Sequence, residues 1–401
     1  MKKPKIVLAF SGGLDTSFCV LWLKETQKAD VVTAVVDTGG FSAAELKEIE
    51  ARAKELGACE HFTLDAKQEV FDRFLTPLIQ GNVLRGKVYP LSVAAERIVQ
   101  AEQIASLALR IGADAAAHGS TGAGNDQVRF DAVFQALIPE LKIHAPIREL
   151  GWPREKETAY LSERGFSVPP KTTAYSINAG LWGTTVGGKE THDPWTEIPD
   201  EAYPAPNGGR KDASKVIIGF KKGVPTSING KEMNGVELVT ELNEIGRLYG
   251  IGRGVHLGDT VLGIKGRIGF EAPAPTILIS AHRELEKLVL TRWQSFWKDH
   301  LAEFYGQLLH EGLAYDPVMR DIEAMIRSSQ RAVTGEARLK LAPGRFAVTG
   351  VKSPHSLVAA QSAVYGETMG LWTGDEAAGF SKLHSLPMAL ARKAAKTLEA
   401  A

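Results

Sequence analysis

Through the first 150 positions, apolar residues come in short unbroken runs, separated by stretches in which they recur every three or four residues. Lys5–Phe10 is apolar at every position from Ile6 onward, the pattern of a strand covered on both faces. Leu14–Lys24 then has helical spacing. Val31–Val36, Glu60–Leu64, Ala113–Ala117 and Lys142–Ile147 repeat the strand pattern. Ser42–Leu56, Lys67–Ile79, Leu91–Ile111 and Asn125–Leu137 read as helices, and Ser42 with Glu45 three residues on is a capping-box signature. This alternation predicts an α/β fold with a parallel, doubly wound sheet carrying helices on both faces. In such sheets ligands sit beyond the carboxyl ends of the strands.

After Gly165 the pattern changes. Residues 166–210 are rich in Pro, Gly, Thr and Asn, and shorter β segments follow, at Val216–Phe220, Val261–Phe270 and Ala337–Val351. Asn234–Tyr249 reads as a helix with Asn234 as its cap. Thr276–Leu309 reads as mostly helical, with Leu285, Val289, Trp293 and Phe296 on one face, the stripe of a core or subunit contact. Leu386–Ala401, starting near Pro387, reads as a short terminal helix that packs on a neighbour. Three segments are expected: a nucleotide-binding domain over 1–165, an α+β substrate domain over 166–365, and a C-terminal helical tail over 366–401.

Composition narrows the class. The 401 residues carry 47 Lys+Arg and 47 Asp+Glu, a balance that argues against a dedicated nucleic-acid binder. Two cysteines, Cys19 and Cys59, offer no disulfide framework or zinc cluster and fit a reducing, cytoplasmic setting. No stretch approaches the ~20 apolar residues of a membrane span. The apolar run behind Met-Lys-Lys ends at Phe10, too early for a signal peptide.

The first chemical signal is Ser11-Gly-Gly-Leu-Asp15-Thr-Ser17, between the first strand and the first helix. Gly12 and Gly13 let the backbone approach a ligand, and the turn directs N–H groups and the helix's positive end at one point. Ser11, Thr16 and Ser17 add hydroxyls. The anion expected there is a nucleotide phosphate. Asp15 fits beside it if it serves a metal ion bridging the phosphates. No Lys follows the glycines, so this is not a Walker loop. The bland alternative is a glycine turn with no ligand.

The second signal is His118-Gly-Ser-Thr121-Gly-Ala-Gly-Asn125-Asp126-Gln127-Val-Arg129-Phe130. Asn125 or Asp126 can cap the helix that follows, but a cap uses one of these polar groups and leaves the others over. The surplus suits an acidic, amine-bearing ligand, with Arg129 taking a carboxylate and Asp126 an ammonium group. The lone histidines His118, His192, His256, His282 and His355 lack metal-ligand spacing.

With both motifs in place, the chain resembles the argininosuccinate synthase family, within the N-type ATP pyrophosphatases. Further resemblance lies in Gly86-Lys-Val-Tyr89-Pro-Leu with Arg97, in Tyr175–Thr185, and in Gly263–Arg267, Glu271-Ala-Pro273 and Ala281–Glu286. The resemblance implies ligation of citrulline to aspartate with ATP cleaved to AMP and pyrophosphate, Mg2+ as the accompanying ion, and a homotetramer. It implies ATP contacts from Ala9, Phe10, Ser11, Gly12, Gly13, Leu14, Asp15, Thr16, Ser17, Val36 and Gly119. Aspartate contacts would come from Thr121, Asn125 and Asp126, and citrulline contacts from Tyr89, Asn125, Arg129, Ser176 and Thr185. Asp15, Asp126 and Arg129 would be central to the chemistry.

The acceptor side departs from the family pattern. Ala94 replaces a Ser, Asn178 and Gly180 replace Asp and Asn, Gly258 stands at the citrulline-binding Glu and Phe270 at a Tyr. Either Asp259, one position on, supplies the missing carboxylate, or the substrate differs slightly; the plainer alternative is that Asp259 only closes a turn before the strand at Val261. The other functions weighed are a tRNA-thiolating or amide-forming relative with the same loop, which usually needs paired cysteines and a basic surface, and a nucleotide sensor, which has no need of Thr121–Arg129.

Overall fold

The computed structural model describes residues 3–168, 175–204, 208–361 and 363–399. The chain divides into two compact units, Met1–His355 and Ser356–Ala401.

The first unit opens with the expected alternation: β1 (Lys5–Ala9), α1 (Leu14–Thr26), β2 (Asp30–Asp37), α2 (Ala43–Glu55) and β3 (Glu60–Asp65). A helical stretch follows, α3 (Lys67–Val70) and α4 (Thr76–Gln80), joined by a π-helical turn over Phe71–Leu75. Next come α5 (Ala94–Arg110), β4 (Ala115–Ala117), α6 (Asp126–Leu137), β5 (Lys142–His144), α7 (Pro146–Leu150) and α8 (Arg154–Ser162). The five strands form one parallel sheet in the order β3-β2-β1-β4-β5. Ile6, Leu8 and Phe10 enter the core under α1 and α2, whereas Val7 joins the core on the other face. Burial on both faces explains the unbroken apolar run of β1. The order reverses between β1 and β4, so the loops leaving these two strands flank the switch point.

Two boundaries differ from expectation. The strand predicted over Lys142–Ile147 stops at His144, because Pro146 fits the first turn of a helix and cannot donate to a ladder. The helix predicted from Leu91 starts at Ala94, since Leu91 and Val93 both adopt left-handed backbone, with φ of 60° and 74°. A β-branched residue rarely does so.

The rest of this unit carries two antiparallel sheets. One combines β6 (Tyr175–Gly180), β7 (Gly183–Gly188), β11 (Arg253–Asp259) and β12 (Lys265–Glu271) in the order β11-β12-β7-β6. The other combines β8 (Ser214–Lys221), β9 (Val224–Ile228), β10 (Lys231–Glu232), β13 (Gly335–Ala342) and β14 (Arg345–Lys352) in the order β10-β9-β8-β13-β14. Helix α9 (Gly235–Leu248) is capped by Asn234, whose side chain accepts from the Glu237 N–H. The β segment predicted over Val261–Phe270 is a hairpin: Arg253–Asp259 pairs with Lys265–Glu271, and Val261 lies in the turn.

The long helix predicted over Thr276–Leu309 is two helices, α10 (Pro273–Val289) and α11 (Arg292–Glu311). Thr291 and Gln294 form a capping box that starts the second. The break splits the expected stripe: Leu285 and Val289 are buried, whereas Trp293 and Phe296 are exposed. Helix α12 (Pro317–Ser329) follows.

The second unit contains α13 (Leu357–Ala360) and α14 (Gly374–Glu399). The terminal helix therefore begins twelve residues earlier than the expected Leu386, with Pro387 inside it. Its start is set by Thr373 and Glu376, which exchange hydrogen bonds as a capping box. The last two positions of the predicted span lie outside the described residues.

Candidate active site

A cavity of about 810 Å³ opens at the switch point. Its first wall is the loop after β1. Gly12 turns the chain with φ +75°, and a side chain there would press on Ile49 at 3.1 Å. Helix α1 has Gly13 at its start and no side chain capping it, so its leading N–H groups remain available to an anion. The Ser11 and Thr16 hydroxyls lie 3.3 Å apart beside them. Across the switch point, Gly119 packs so closely on this loop that a Cβ would stand 3.0 Å from Thr16 Cγ2.

Asp15 lines the cavity, with Arg154 Nη2 at 3.5 Å. Behind it sits the buried Glu157. Burial together with the Asp15 carboxyl, to which it is hydrogen-bonded, holds Glu157 well above the ordinary carboxylate range. Glu157 Oε2 is buried with no hydrogen-bond partner. The Asp15 carboxylate is a hard oxygen donor of the kind Mg2+ takes, together with phosphate oxygens. No group of three or more His, Cys, Asp or Glu converges as a metal site among the described residues.

The second wall is the start of α6. Asn125 does not cap the helix with its side chain; its Oδ1 accepts from the Val261 N–H at 2.9 Å, tying α6 to the β11–β12 turn. Asp126 is held between Arg97 Nε at 2.9 Å and Arg129 Nη1 at 2.8 Å. Burial raises its pKa, but the two guanidinium groups outweigh burial and keep it below the ordinary value. Arg129 is buried, and its Nε donates to His310 O at 3.0 Å while Nη2 donates to His310 Nδ1 at 3.2 Å. Burial, with Arg129 and Arg85 nearby, lowers His310 to about 3 and leaves it a neutral acceptor. His118 accepts from the Ser120 N–H through Nδ1 and faces Asp131 through Nε2 at 3.0 Å.

The third wall comes from the antiparallel sheet. The buried Tyr89 ring stacks on His256, with centroids 5.3 Å apart, and leans on Phe270 at 5.4 Å. Its hydroxyl donates to Ser92 O. On the β6–β7 hairpin, Asn178 pairs in register with Thr185 and accepts from Arg97 Nη2 at 2.5 Å. The hairpin turn is pinned through Trp182: its N–H donates to Glu96 Oε1, its indole to Pro90 O, and its carbonyl accepts from Ser92 Oγ. Burial pushes the Glu96 carboxyl up to about 7, and its Oε2 has no partner.

All the residues singled out from the sequence line this cavity except Gly12 and Ser17. Gly12 shapes the loop from behind, and Ser17 is buried with its hydroxyl donating to Gly12 O. Ser176, Thr185 and Asp259 reach it from the second sheet. Asp259 ends β11 on the exposed side, its carboxylate 2.6 Å from Lys265 Nζ. Sequence reasoning missed Arg85, Gln100 and His310 as lining residues, and gave His256 no part in the site. Their positions depend on distant segments meeting, and no local spacing signals that.

Comparison with known proteins fits this geometry. A family profile described as Arginosuccinate synthase N-terminal HUP domain matches residues 5–167, and one described as Arginosuccinate synthase C-terminal domain matches residues 175–391. The chain is similar to the argininosuccinate synthase of Dictyoglomus thermophilum, at 39% identity over 96% of this chain and 97% of that protein. It is 39% identical to that of Methanocaldococcus jannaschii over 95% and 96% of the two chains. With the argininosuccinate synthase of Xanthomonas campestris pv. campestris the identity is 42%, over 97% and 98%.

Proposed function

The chain belongs to the argininosuccinate synthase family, and from that premise we propose how its cavity performs the ligation. The enzyme joins citrulline to aspartate with ATP, releasing AMP and pyrophosphate, a reaction of arginine biosynthesis. The observation that carries the residue-level reading is the meeting, in one cavity, of the uncapped start of α1 with the polar first turn of α6.

The ureido oxygen of citrulline is a poor leaving group. Its attack on the α-phosphorus of ATP breaks the bond from that phosphorus to the α,β-bridging oxygen, which leaves with pyrophosphate, and makes the ureido oxygen part of an AMP leaving group. Pyrophosphate leaves against the N–H groups of the Ser11–Ser17 loop, which meet its charge without reorganising. The aspartate amine then attacks the ureido carbon, AMP departs and the amine loses a proton. Ala9–Ser17, Val36 and Gly119 hold ATP in this reading. Thr121, Asn125 and Asp126 hold aspartate, while Tyr89, Asn125, Arg129, Ser176 and Thr185 hold citrulline. Asp259, whose charge Lys265 already balances, would meet the citrulline ammonium. Much of the rate comes from alignment of three substrates.

Asp15, backed by Glu157, would hold Mg2+, which neutralises phosphate charge when bound. The 1–165, 166–365 and 366–401 segments act as nucleotide-binding domain, substrate domain and oligomerisation tail. A homotetramer would cover the exposed Trp293, Phe296 and Trp297 of α11. A cytoplasmic location suits two free cysteines. No helix among the described residues is long and apolar enough to cross a membrane.

The test is pyrophosphate release with ATP and Mg2+, omitting citrulline, aspartate or an added tRNA in turn. Release should require citrulline, and argininosuccinate should form only with aspartate. Turnover driven by tRNA and a sulfur donor, indifferent to citrulline, would overturn the reading.

A further inference from the structure

At the amino-acid end of the cavity, positive charge is in surplus. Arg85, Arg97 and Arg129 all line it, against Asp126 and Asp259. Asp126 is already shared between two of those guanidinium groups. Asp259 is balanced by Lys265 at 2.6 Å, and its backbone carbonyl accepts from Arg85 Nη2 at 2.9 Å. Among the described lining residues at this end, each carboxylate already has a cation beside it before an ammonium group arrives.

The place nearest Asp259 where another carboxylate would fit is also filled. A Cβ at Gly258 would stand 2.6 Å from His256 Nε2. His256 lies over that backbone and stacks on Tyr89. Burial and the nearby Arg85 hold its pKa below the ordinary value, so at neutral pH it adds an uncharged ring. Together with Tyr89 and Phe270 it makes this wall aromatic and neutral. An acceptor meets cations that attract a carboxylate and rings that pack on a methylene chain. A zwitterionic head adds an ammonium group beside carboxylates that are already neutralised and three guanidinium groups, and a like charge among them is unfavourable.

We infer that this pocket takes ω-ureido carboxylates without a free α-ammonium group at least as well as it takes citrulline. This rests on the ligase reading above and enlarges its acceptor class. The chemistry is unchanged. The ureido oxygen displaces pyrophosphate from ATP, the aspartate amine displaces AMP, and the product is an N-substituted guanidinosuccinate with one proton released.

The experiment uses the full chain with ATP, Mg2+ and aspartate, and compares citrulline, 5-ureidopentanoate and Nα-acetylcitrulline by pyrophosphate release and product mass. The kcat/KM for 5-ureidopentanoate should equal or exceed that for citrulline, by up to about tenfold. A value about tenfold or more below citrulline would overturn the inference and leave the ligase reading intact. Failure of every ureido acceptor would overturn both. A second variant sharpens the result. Lys265→Ala, at an exposed position, frees Asp259 and should move the preference toward citrulline by roughly three- to tenfold. An unchanged ratio in that variant would overturn the role given to Lys265.

Discussion

The two ends of the cavity are built from different material. The end proposed to take the nucleotide is one continuous loop, Ser11–Ser17, presenting backbone N–H groups, with Gly119 packed against it. The amino-acid end is assembled from side chains on α5, α6, α11 and two β-hairpins, most of them already paired with each other. Backbone donors do not change when side chains do, so the first end can keep its chemistry through wide sequence change. The second end depends on every member of a charge network.

The largest effect should follow from breaking the side-chain network at its centre. Asp126→Asn leaves Arg97 and Arg129 facing one another without the carboxylate between them. Removing one member of a half-buried charge cluster costs roughly 1.5–3 kcal/mol. Denaturant unfolding should register that loss, and kcat/KM for aspartate should fall by at least about a hundredfold. Wild-type stability and kinetics would make the cluster incidental. At the backbone end, Gly12→Ala combines a left-handed φ of +75° with a 3.1 Å approach to Ile49. It should cost about 1–3 kcal/mol and raise the KM for ATP more than that for either amino acid. An equal change in all three would deny the loop its separate role.

Legibility divides along the same line. The parallel strands, the Ser42–Glu45 capping box and the Asn234 cap are local patterns, and they read correctly from spacing. The place of the Ser11–Ser17 loop between β1 and α1 was legible for the same reason. The hairpin register that places Val261 in a turn was not, because antiparallel pairing is decided by a partner strand. The break before Arg292 was missed although Thr291 and Gln294 form a cap, since the apolar spacing runs on across it. His310 and Arg85 enter the site only through tertiary packing. The left-handed Val93 violates the local preference of its residue type, and it lines the cavity.

Between the two ends, Glu96 holds the β6–β7 turn through Trp182, and its effect should be pH-dependent. Burial raises its folded pKa from 4.5 to about 7, so the folded state binds the proton more tightly than the unfolded state. Its favourable contribution is complete below the unfolded value and is lost as pH rises through about 7. Glu96→Gln keeps an acceptor for the Trp182 N–H and removes the titration. Wild type should therefore lose stability relative to this variant between about pH 5 and pH 8, by roughly 2–3 kcal/mol. Parallel stability curves for the two proteins would show that Glu96 does not titrate in this range.

The smallest effect belongs to Asp259, and it is the one that separates the acceptors. Its carboxylate is exposed and paired with Lys265, and exposed pairs contribute little to stability. Asp259→Asn should therefore leave the unfolding midpoint unchanged. With 5-ureidopentanoate as acceptor, kcat/KM should stay within about twofold, because that molecule has no ammonium group to lose a partner. With citrulline it should fall modestly, by about threefold, since Lys265 already neutralises the carboxylate that the ammonium would meet. A fall of about a hundredfold with citrulline would make Asp259 a dedicated ammonium partner, and the acceptor end would then be as specific as the loop at the other end is permissive. An equal loss with both acceptors would instead assign Asp259 to the β11–β12 turn, where Arg85 already binds its carbonyl.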